Sequence, residues 1–383
     1  MFRAYKFRLE PNVNQLRELE IALETHRRLY NACLEQRKTA FETEKKAVKY
    51  IDQSAWFKAE RGTNSYFARL NFSGAQATMR RLDKAFTAFF RRVKAGEKPG
   101  YPRFKSRDHF DSFTYPSVGD GARIIDNKLR LQHIGLVRIN LHRPIEGTVK
   151  TLTVKRQTQK WYVIAACKLP DVEIKPSEKP WAGLDVGLER FVTDHAGASE
   201  PPLQPLKKVL KQLRVEQRRL SRKKEGGANR RKQKQRVAGL HAKIANTRRD
   251  QHHKLAAKLV NRYGGIVVES LNIQGMIKNH KLARAVSDAG WGQFLTILKH
   301  KAEGAGVRFE EISARGTSQT CPSCGNVAKK TLAQRQHVCG CGYIAHRDQA
   351  AAQVILARGL LAGMQPVSLN VGVGRHGSRS RLL

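Results

Sequence analysis

Four cysteines within 21 residues near the end of the chain have the type and spacing of a metal site. They are Cys321, Cys324, Cys339 and Cys341. The first pair lies in a C-P-S-C-G motif, where two thiolates two residues apart can bind one tetrahedral Zn²⁺. The second pair, in C-G-C-G, is one residue shorter than the usual C-x₂-C, so His337 or His346 in place of one cysteine stays open as an alternative. A closed site of four cysteines would be structural, because it leaves no position for water.

Three acidic residues form a second candidate metal site. Asp185 follows the apolar W-A-G-L and Glu269 follows I-V-V, each at the end of a predicted buried strand. A buried carboxylate is costly unless it is paired or bound to a cation, so a capped turn or an ion pair is the ordinary alternative. Asp348 begins a predicted helix, where an acid commonly compensates the helix dipole. Together the three favour a nuclease site with two Mg²⁺ ions about 4 Å apart that hydrolyses a phosphodiester.

The net charge indicates a polyanionic partner. Lys and Arg number 72 and Asp and Glu 32, which gives a formal charge of +40, too large for an ordinary metabolic enzyme. Hydrophobic residues make up 40% of the chain, enough for packed cores. No apolar run approaches the roughly 20 residues that span a bilayer. We therefore expect a soluble, cytoplasmic protein that binds nucleic acid.

The N-terminal half is predicted to be β-structure with a helical insertion. FRAYKFRL alternates apolar and polar residues as a strand does, and the helical patterns that follow include one near residues 79–94 with an apolar and a cationic face. Short apolar stretches at 124–169 again predict strands. Residues 101–115 interleave five aromatic residues with arginine and lysine. That pattern suits base stacking, but packing of the rings against the strands is an equal alternative.

The C-terminal half is predicted to mix strands and helices. A strand, a turn and a second strand begin at Trp181, and a short buried strand lies in YGGIVVESLN. Residues 207–262 predict two antiparallel helices that turn at a pair of glycines. Ser287 is predicted to cap a further helix, which is followed by the strand VRFEEIS and by a last helix at 347–361.

The first part of the predicted helical hairpin is strongly basic. Between Lys207 and Arg236 there are fourteen Lys and Arg against two acids. Such a run is usually a solvated face, but leucines at helical spacing give this one an apolar seam, which favours a structured phosphate-binding surface. Affinity from such a surface comes from counterion release and falls steeply with salt.

Several motifs together resemble one family. GLDVGLERF, VVESLN and HRDQAAAQVIL resemble the three segments of a RuvC-type, RNase H-like nuclease. RRLDKAFTAFFRR, GYPRFKSRDHFDSFTYP, LSRKKEGGANRRK, SDAGWGQF and TCPSCG occur in the order typical of TnpB proteins, the transposon-encoded RNA-guided endonucleases related to single-protein type V CRISPR effectors. The resemblance runs from about residue 5 to 361. It implies catalytic acids at Asp185, Glu269 and Asp348, and departs from the family at Ala350, where Asn is frequent.

The resemblance implies a fold of α/β class combined with a small β-barrel. In it, a RuvC-like nuclease domain contains an inserted helical hairpin and a zinc ribbon just before the last acid, and the N-terminal barrel contains a helical insertion. The implied domains are a wedge-like barrel at 1–10 and 96–175, a helical recognition insertion at 11–95, the nuclease domain at 176–320 and 343–363, the zinc ribbon at 321–342, and a disordered tail at 364–383.

The implied function is Mg²⁺-dependent cleavage of double-stranded DNA beside a short flanking motif, guided by a noncoding RNA of the transposon. Base pairing would supply specificity and the protein would recognise helix shape; we expect a monomer. The alternatives are a guided DNA-binding repressor that has lost an acid, and a transposase that acts on transposon ends without RNA. The residues expected to contact nucleic acid are Gln76, Arg80, Arg103, Phe104, Thr114, Tyr115, Arg222, Lys223 and Lys224.

Overall fold

The computed structural model describes residues 1–174, 177–331 and 334–364. The chain divides into two compact units, Met1–Asp171 and a second unit that begins at Val172. The tail predicted at 364–383 lies outside the described residues, apart from Met364 at the end of the last helix. Within those described ranges, no helix is both long and apolar enough to cross a membrane.

Seven strands form one antiparallel sheet in the first unit. They are β1 (Phe2–Glu10), β2 (Ser112–Tyr115), β3 (Ala122–Ile125), β4 (Lys128–Leu131), β5 (Gly135–Asn140), β6 (Thr148–Gln157) and β7 (Lys160–Lys168). Their order is β2-β6-β7-β1-β5-β4-β3. A barrel closes only when its two edge strands pair, and in the described part of the chain no ladder joins β2 to β3. The predicted small β-barrel is therefore present in part, as an open half-barrel sheet.

Four helices lie between β1 and β2. They are α1 (Val13–Glu44), α2 (Tyr50–Thr63), α3 (Ser65–Ala68) and α4 (Phe72–Lys94). α1 begins at a capping box, in which Asn12 and Gln15 each accept the other's backbone N–H through the side chain. α4 buries Met79 and Leu82 and exposes Arg80, so the predicted apolar and cationic faces are confirmed in the first part of the helix. Towards its end, Phe90 and Val93, which were predicted to lie on the apolar face, are exposed.

A five-stranded mixed sheet is the centre of the second unit. Its strands are β8 (Trp181–Asp185), β9 (Val192–Asp194), β10 (Ser199–Glu200), β11 (Gly265–Ser270) and β12 (Arg308–Ser313), in the order β10-β9-β8-β11-β12. β11 runs parallel to both β8 and β12, whereas β9 is antiparallel to β8. Because β8 and β11 are parallel, their carboxyl ends lie at the same edge of the sheet.

Six helices accompany this sheet. They are α5 (Pro205–Ser221), α6 (Ala228–Arg262), α7 (Ile273–Lys278), α8 (Ala283–Ala289), α9 (Trp291–Ala305) and α10 (Arg347–Met364). The predicted helix start at Ser287 is wrong, because Ser287 lies inside α8. Gly290, with a φ of 69° in the left-handed region that glycine adopts readily, ends α8 and begins α9.

The predicted hairpin of two basic helices is confirmed as α5 and α6. Leu213, Val237 and Ile244 form a small buried cluster along their contact, and neighbouring leucines pack on it. The apolar seam is thin, so most of the surface of both helices is left to charged side chains. A short ribbon of two strands, β13 (Gln336–Val338) and β14 (Ile344–His346), comes just before α10.

Candidate functional site

The start of α10 lies at the carboxyl edge of β8 and β11, because the helix packs on these strands at very short range. A Cβ added to Gly183 of β8 would collide with the carbonyl oxygen of Ala352 in α10. A Cβ added to Gly359 of α10 would collide with the side chain of Val267 in β11. Glycine at both positions therefore permits the contact that brings Asp348 next to the strand ends.

Asp185 ends β8, Glu269 lies near the end of β11, and Asp348 lies in the first turn of α10. Burial, and then the negative charges of Glu269 and Asp348, raise the pKa of Asp185 to about 8, against the opposing charge of Arg347. The structure thus brings the three predicted acids into one electrostatic neighbourhood. Within the described residues, the carboxylate oxygens of these three acids do not lie close enough together to form a preformed metal site. Mutual repulsion of three negative charges accounts for this spacing.

Thr317 is a residue of this site that sequence reasoning missed. It is buried, with 3% of its surface exposed. Its hydroxyl donates a hydrogen bond to Glu269 Oε1 and also lies 3.2 Å from the carbonyl oxygen of Ala314. Burial raises the pKa of Glu269, whereas the Thr317 hydrogen bond and the charge of Arg358 lower it. Nothing in the sequence marks Thr317, because it lies 48 residues from its partner.

Arg358 joins the same loop to α10. Its guanidinium donates to the carbonyl oxygen of Arg315 at 2.7 Å and to Thr320 Oγ1 at 3.3 Å. Near the helix start, the backbone N–H of Asp348 donates to Nδ1 of His346 at 3.2 Å. Arg358 and Thr317 therefore connect one face of the acidic site to the segment that leads directly into the first cysteine pair.

The four cysteine thiols form a compact group, with all sulfur atoms within 4.8 Å of one another. Cys321 Sγ lies 3.7 Å from Cys341 Sγ, and Cys324 Sγ lies 3.5 Å from Cys339 Sγ. Hydrogen bonds, the first from the backbone N–H of Cys341, lower the pKa of the Cys339 thiol to about 7. The group has the ligand number and the soft donor atoms that a structural Zn²⁺ requires.

The two histidines that were alternative ligands lie outside this group. His337 is buried, and its Nδ1 contacts Nζ of Lys330. His346 instead meets the backbone of Asp348. Gly325 and Gly342, each directly after a cysteine pair, have φ values of 76° and 87° in the left-handed region. These glycines let both short loops turn back tightly, including the second loop with its single intervening residue.

The residues predicted to contact nucleic acid fall into three environments. Arg222 and Lys224 are exposed at the turn between α5 and α6, with Lys223 half-buried beside them. Arg80 is exposed on α4, and its guanidinium lies 5.0 Å from the centre of the Tyr50 ring. Half-buried positions are held by Gln76, which donates to Ser54 Oγ at 3.3 Å, and by Thr114, whose hydroxyl lies 2.9 Å from that of Thr153.

The aromatic segment divides between the core and the surface. Arg103 is exposed, as are Phe104 and Tyr101, with 48% and 47% of their surfaces accessible. Tyr115 is only 4% exposed and packs edge-on against buried Phe113. The prediction that Tyr115 contacts nucleic acid is therefore corrected, because its ring faces the core. For Phe113 and Phe110, packing in the core is the correct alternative.

Family models match three separate parts of the chain. The OrfB_IS605 family model, described as "Probable transposase", matches residues 153–280. A model of the "Cas12f1-like, TNB domain" matches residues 291–355, and the helix-turn-helix model of the same OrfB_IS605 name matches residues 1–46. The three matches leave residues 47–152 uncovered, together with the shorter stretches 281–290 and 356–364 of the described chain.

Two curated relatives align over most of their length. A Streptomyces pristinaespiralis protein named "Putative RNA-guided DNA endonuclease" is 32% identical over 97% of this chain and 94% of its own. The Escherichia coli protein named "Putative RNA-guided DNA endonuclease InsQ" is 30% identical over 93% and 92%. The solved structure "Structure of the mini-RNA-guided endonuclease CRISPR-Cas_phi3" aligns with a TM-score of 0.47 at 10% identity, over 96% of this chain and 93% of that one. Since the two curated relatives match at 30% identity or more from end to end, this chain belongs to the TnpB family, the OrfB family of IS605-type elements.

Proposed function

We propose that the protein is a transposon-encoded, RNA-guided endonuclease that cuts double-stranded DNA beside a short flanking motif. The observation that carries this proposal is that Asp185, Glu269 and Asp348, from three distant segments, lie near enough at one edge of the mixed sheet for their charges to interact. The names of the two full-length relatives support the RNA guide and the DNA substrate. The parallel β8 and β11 with α10 packed on them support a RuvC-like nuclease domain.

The acidic site fits divalent cations by the chemistry of its donors. Carboxylate oxygens are the ligands that Mg²⁺ prefers. Burial, and then the negative charges of Glu269 and Asp348, raise the pKa of Asp185, and a bound divalent cation would offset both effects. Two Mg²⁺ ions held by the three carboxylates would activate water and stabilise the charge that develops on the phosphodiester. In the chain itself, Thr317 orients one oxygen of Glu269, and all three acids are only partly exposed to solvent.

The basic surface of α5 and α6 would bind the sugar–phosphate backbones of the guide RNA and its target. Arg222, Lys223 and Lys224 lie at its turn. Contacts of this kind depend on charge and helix shape, so that sequence specificity comes from base pairing with the guide. The four cysteines would hold one structural Zn²⁺, which fixes the ribbon ahead of α10.

The test compares wild-type protein with Asp185→Ala, each loaded with the RNA that copurifies with it. We expect wild type to cut a DNA target matched to that RNA when Mg²⁺ is present, and Asp185→Ala to lose cutting while it keeps RNA-dependent DNA binding. Glu311→Gln is the matched control, because it removes an exposed carboxylate from the neighbouring strand β12. Cutting that survives Asp185→Ala would refute the assignment of the site.

A second candidate function is favoured by one observation, the description "Probable transposase" of the family model that covers both β8 and β11. A transposase would act directly on transposon ends by the same acids. The two functions differ in their need for RNA: an endonuclease guided by RNA stops cutting after ribonuclease treatment, whereas a direct transposase continues. A guided DNA-binding repressor that no longer cuts would be marked by the loss of one of the three acids. All three acids are present in this chain, which argues against that alternative.

A further inference from the structure

A cavity of about 410 Å³ opens beside the loop that follows Asp185. Gly187, two residues after Asp185, is part of its wall. Gly187 also lies next to the acidic site, because a Cβ placed on it would stand 4.0 Å from Oδ2 of Asp348. One wall of the cavity is therefore adjacent to the acidic site. The volume of the cavity is within the range of small-molecule pockets.

Most of the cavity wall is apolar. It is formed by the loop after β8, the beginning of α5 and one side of α8, and its apolar side chains are those of Leu188, Phe191, Leu203, Leu206, Leu210 and Ala285. Lys207 and Arg284 stand at its mouth, and both are exposed to solvent. An apolar interior with cations at the opening suits a flat apolar group that carries a negative charge outside the pocket.

The charges of the cavity leave a positive excess. Asp288 is the one acidic residue in its described lining. The Asp288 carboxylate accepts the backbone N–H groups of Leu206 at 2.9 Å and Lys207 at 3.2 Å, and it pairs with Arg248 at 3.2 Å. Asp288 thus fixes α5 against α8, and both of its oxygens already accept hydrogen bonds within the protein. Neither Lys207 nor Arg284 forms an ion pair within the residues that the structure describes.

We propose that this cavity is a nucleotide subsite of the endonuclease, in which a base of the DNA strand being cut enters the apolar interior. Lys207 and Arg284 bind the phosphates on either side of that nucleotide. A base can enter only when it is unpaired, so the subsite selects a single strand. The base anchors the strand, and the next phosphodiester then lies at the carboxylates beyond Gly187. This inference rests on the proposed function and adds to it the place where the strand is held.

The test uses a photoreactive base as the probe. The target DNA carries 4-thiothymidine at single positions around the cut, Ca²⁺ replaces Mg²⁺ so that the strand stays intact, and crosslinked peptides are identified after irradiation. We expect crosslinks from one or two adjacent positions to peptides of the cavity wall. Ala285→Trp, which fills the cavity, should reduce these crosslinks about tenfold. Lys207→Ala with Arg284→Ala should have a similar effect, because two solvent-exposed phosphate contacts are lost, each worth up to about fivefold in binding.

Ser287→Trp is the matched control. Ser287 is exposed on α8 only two residues from Ala285, but it does not line the cavity. Its crosslinks should equal those of wild type, and crosslinks elsewhere on the protein should be unchanged in all variants. Lys207→Ala with Arg284→Ala adds no bulk to the cavity. Fewer crosslinks in this variant therefore cannot result from the misfolding that an added tryptophan can cause.

Two results would overturn the subsite: unchanged crosslinks in both cavity variants, or cavity crosslinks that come from the guide RNA instead of DNA. The proposed function fails separately, if wild-type protein with its RNA does not cut DNA in Mg²⁺. The crosslinks are measured without cutting, and a short single-stranded oligonucleotide can replace the guided target. The crosslinking experiment therefore tests whether a base occupies the cavity independently of the result of the cleavage assay.

Discussion

Thr317→Val should weaken the acidic site without unfolding the protein. Valine has nearly the shape of threonine but cannot donate the hydrogen bond to Glu269. Thr317 is almost fully buried, so water cannot easily take the place of its hydroxyl. Because this bond also lowers the pKa of Glu269, the variant carboxylate will be both less well oriented and harder to ionise.

The size of the effect follows from the type of bond. A hydrogen bond to a charged group contributes about 1.5–3 kcal/mol, which corresponds to roughly 10–150-fold in an equilibrium or a rate. Arg358 still opposes the burial of Glu269 in the variant, so the lower end applies. We expect the Mg²⁺ concentration for half-maximal cutting to rise about tenfold.

The assay is single-turnover cleavage by the RNA-loaded protein over a series of Mg²⁺ concentrations, together with Mn²⁺ binding measured by electron paramagnetic resonance. Thr317→Ser keeps the hydroxyl and should restore both values. Thr25→Val is the matched control, because Thr25 is also buried but bonds only the carbonyl oxygen of Ile21, in the first unit. Equal Mg²⁺ and Mn²⁺ affinities in wild type and Thr317→Val would refute the role given to this hydroxyl.

Three further predictions concern zinc, salt and pH. Cys339→Ser and Cys341→Ser should each lower the zinc content found by elemental analysis, because each removes one of four clustered thiols. Arg222→Ala with Lys224→Ala should reduce the slope of log binding constant for nucleic acid against log salt by about 1.5–2, since two phosphate contacts are lost. Burial lowers the pKa of His26 to about 3, so the unfolded state binds more protons below pH 6.5. The first unit should therefore lose about 1.4 kcal/mol of stability for each pH unit below that value, in hydrogen exchange corrected for intrinsic rates.

Each of these has a result that would contradict it. Full zinc content in either cysteine variant would point to another ligand, and His337→Gln is the control that should keep its zinc. An unchanged salt slope would mean that the turn of the hairpin does not contact phosphates. If hydrogen exchange in peptides from α1 gave the same stability for the first unit at pH 5 and at pH 7, His26 would be protonated in the folded state, despite its stacking on Phe113.

The strand-end acids were predictable from sequence, since both follow near-continuous apolar runs. Such runs are typical of strands buried on both faces, and parallel strands of this kind end at one edge of a sheet. The distance between the strands and α10 was not predictable, because it depends on glycines at positions 183 and 359 that meet only in the folded chain. Thr317 was missed for the same reason, as its partner is fixed by tertiary structure and not by spacing.

The error at Tyr115 has a different origin. Residues 112–115 form strand β2, in which Phe113 and Tyr115 are buried whereas Ser112 and Thr114 are half-buried. Alternate residues of a strand share a face, so a short strand at this position would have assigned both rings to the core. The aromatic content of the segment suggested base stacking, whereas its periodicity predicted packing. Tyr101 and Phe104, which precede the strand, are the rings that stay accessible.

The contact of α10 with the sheet has a consequence for the order of synthesis. The ribosome makes Asp185 and Glu269 long before Asp348, so the nascent chain carries two of its three carboxylates with no third beside them. A chain interrupted before residue 347 would keep the basic hairpin and all four cysteines. The proposed nuclease site lacks Asp348 in such a fragment, so the site is complete only after the final helix has been made and has packed on the sheet.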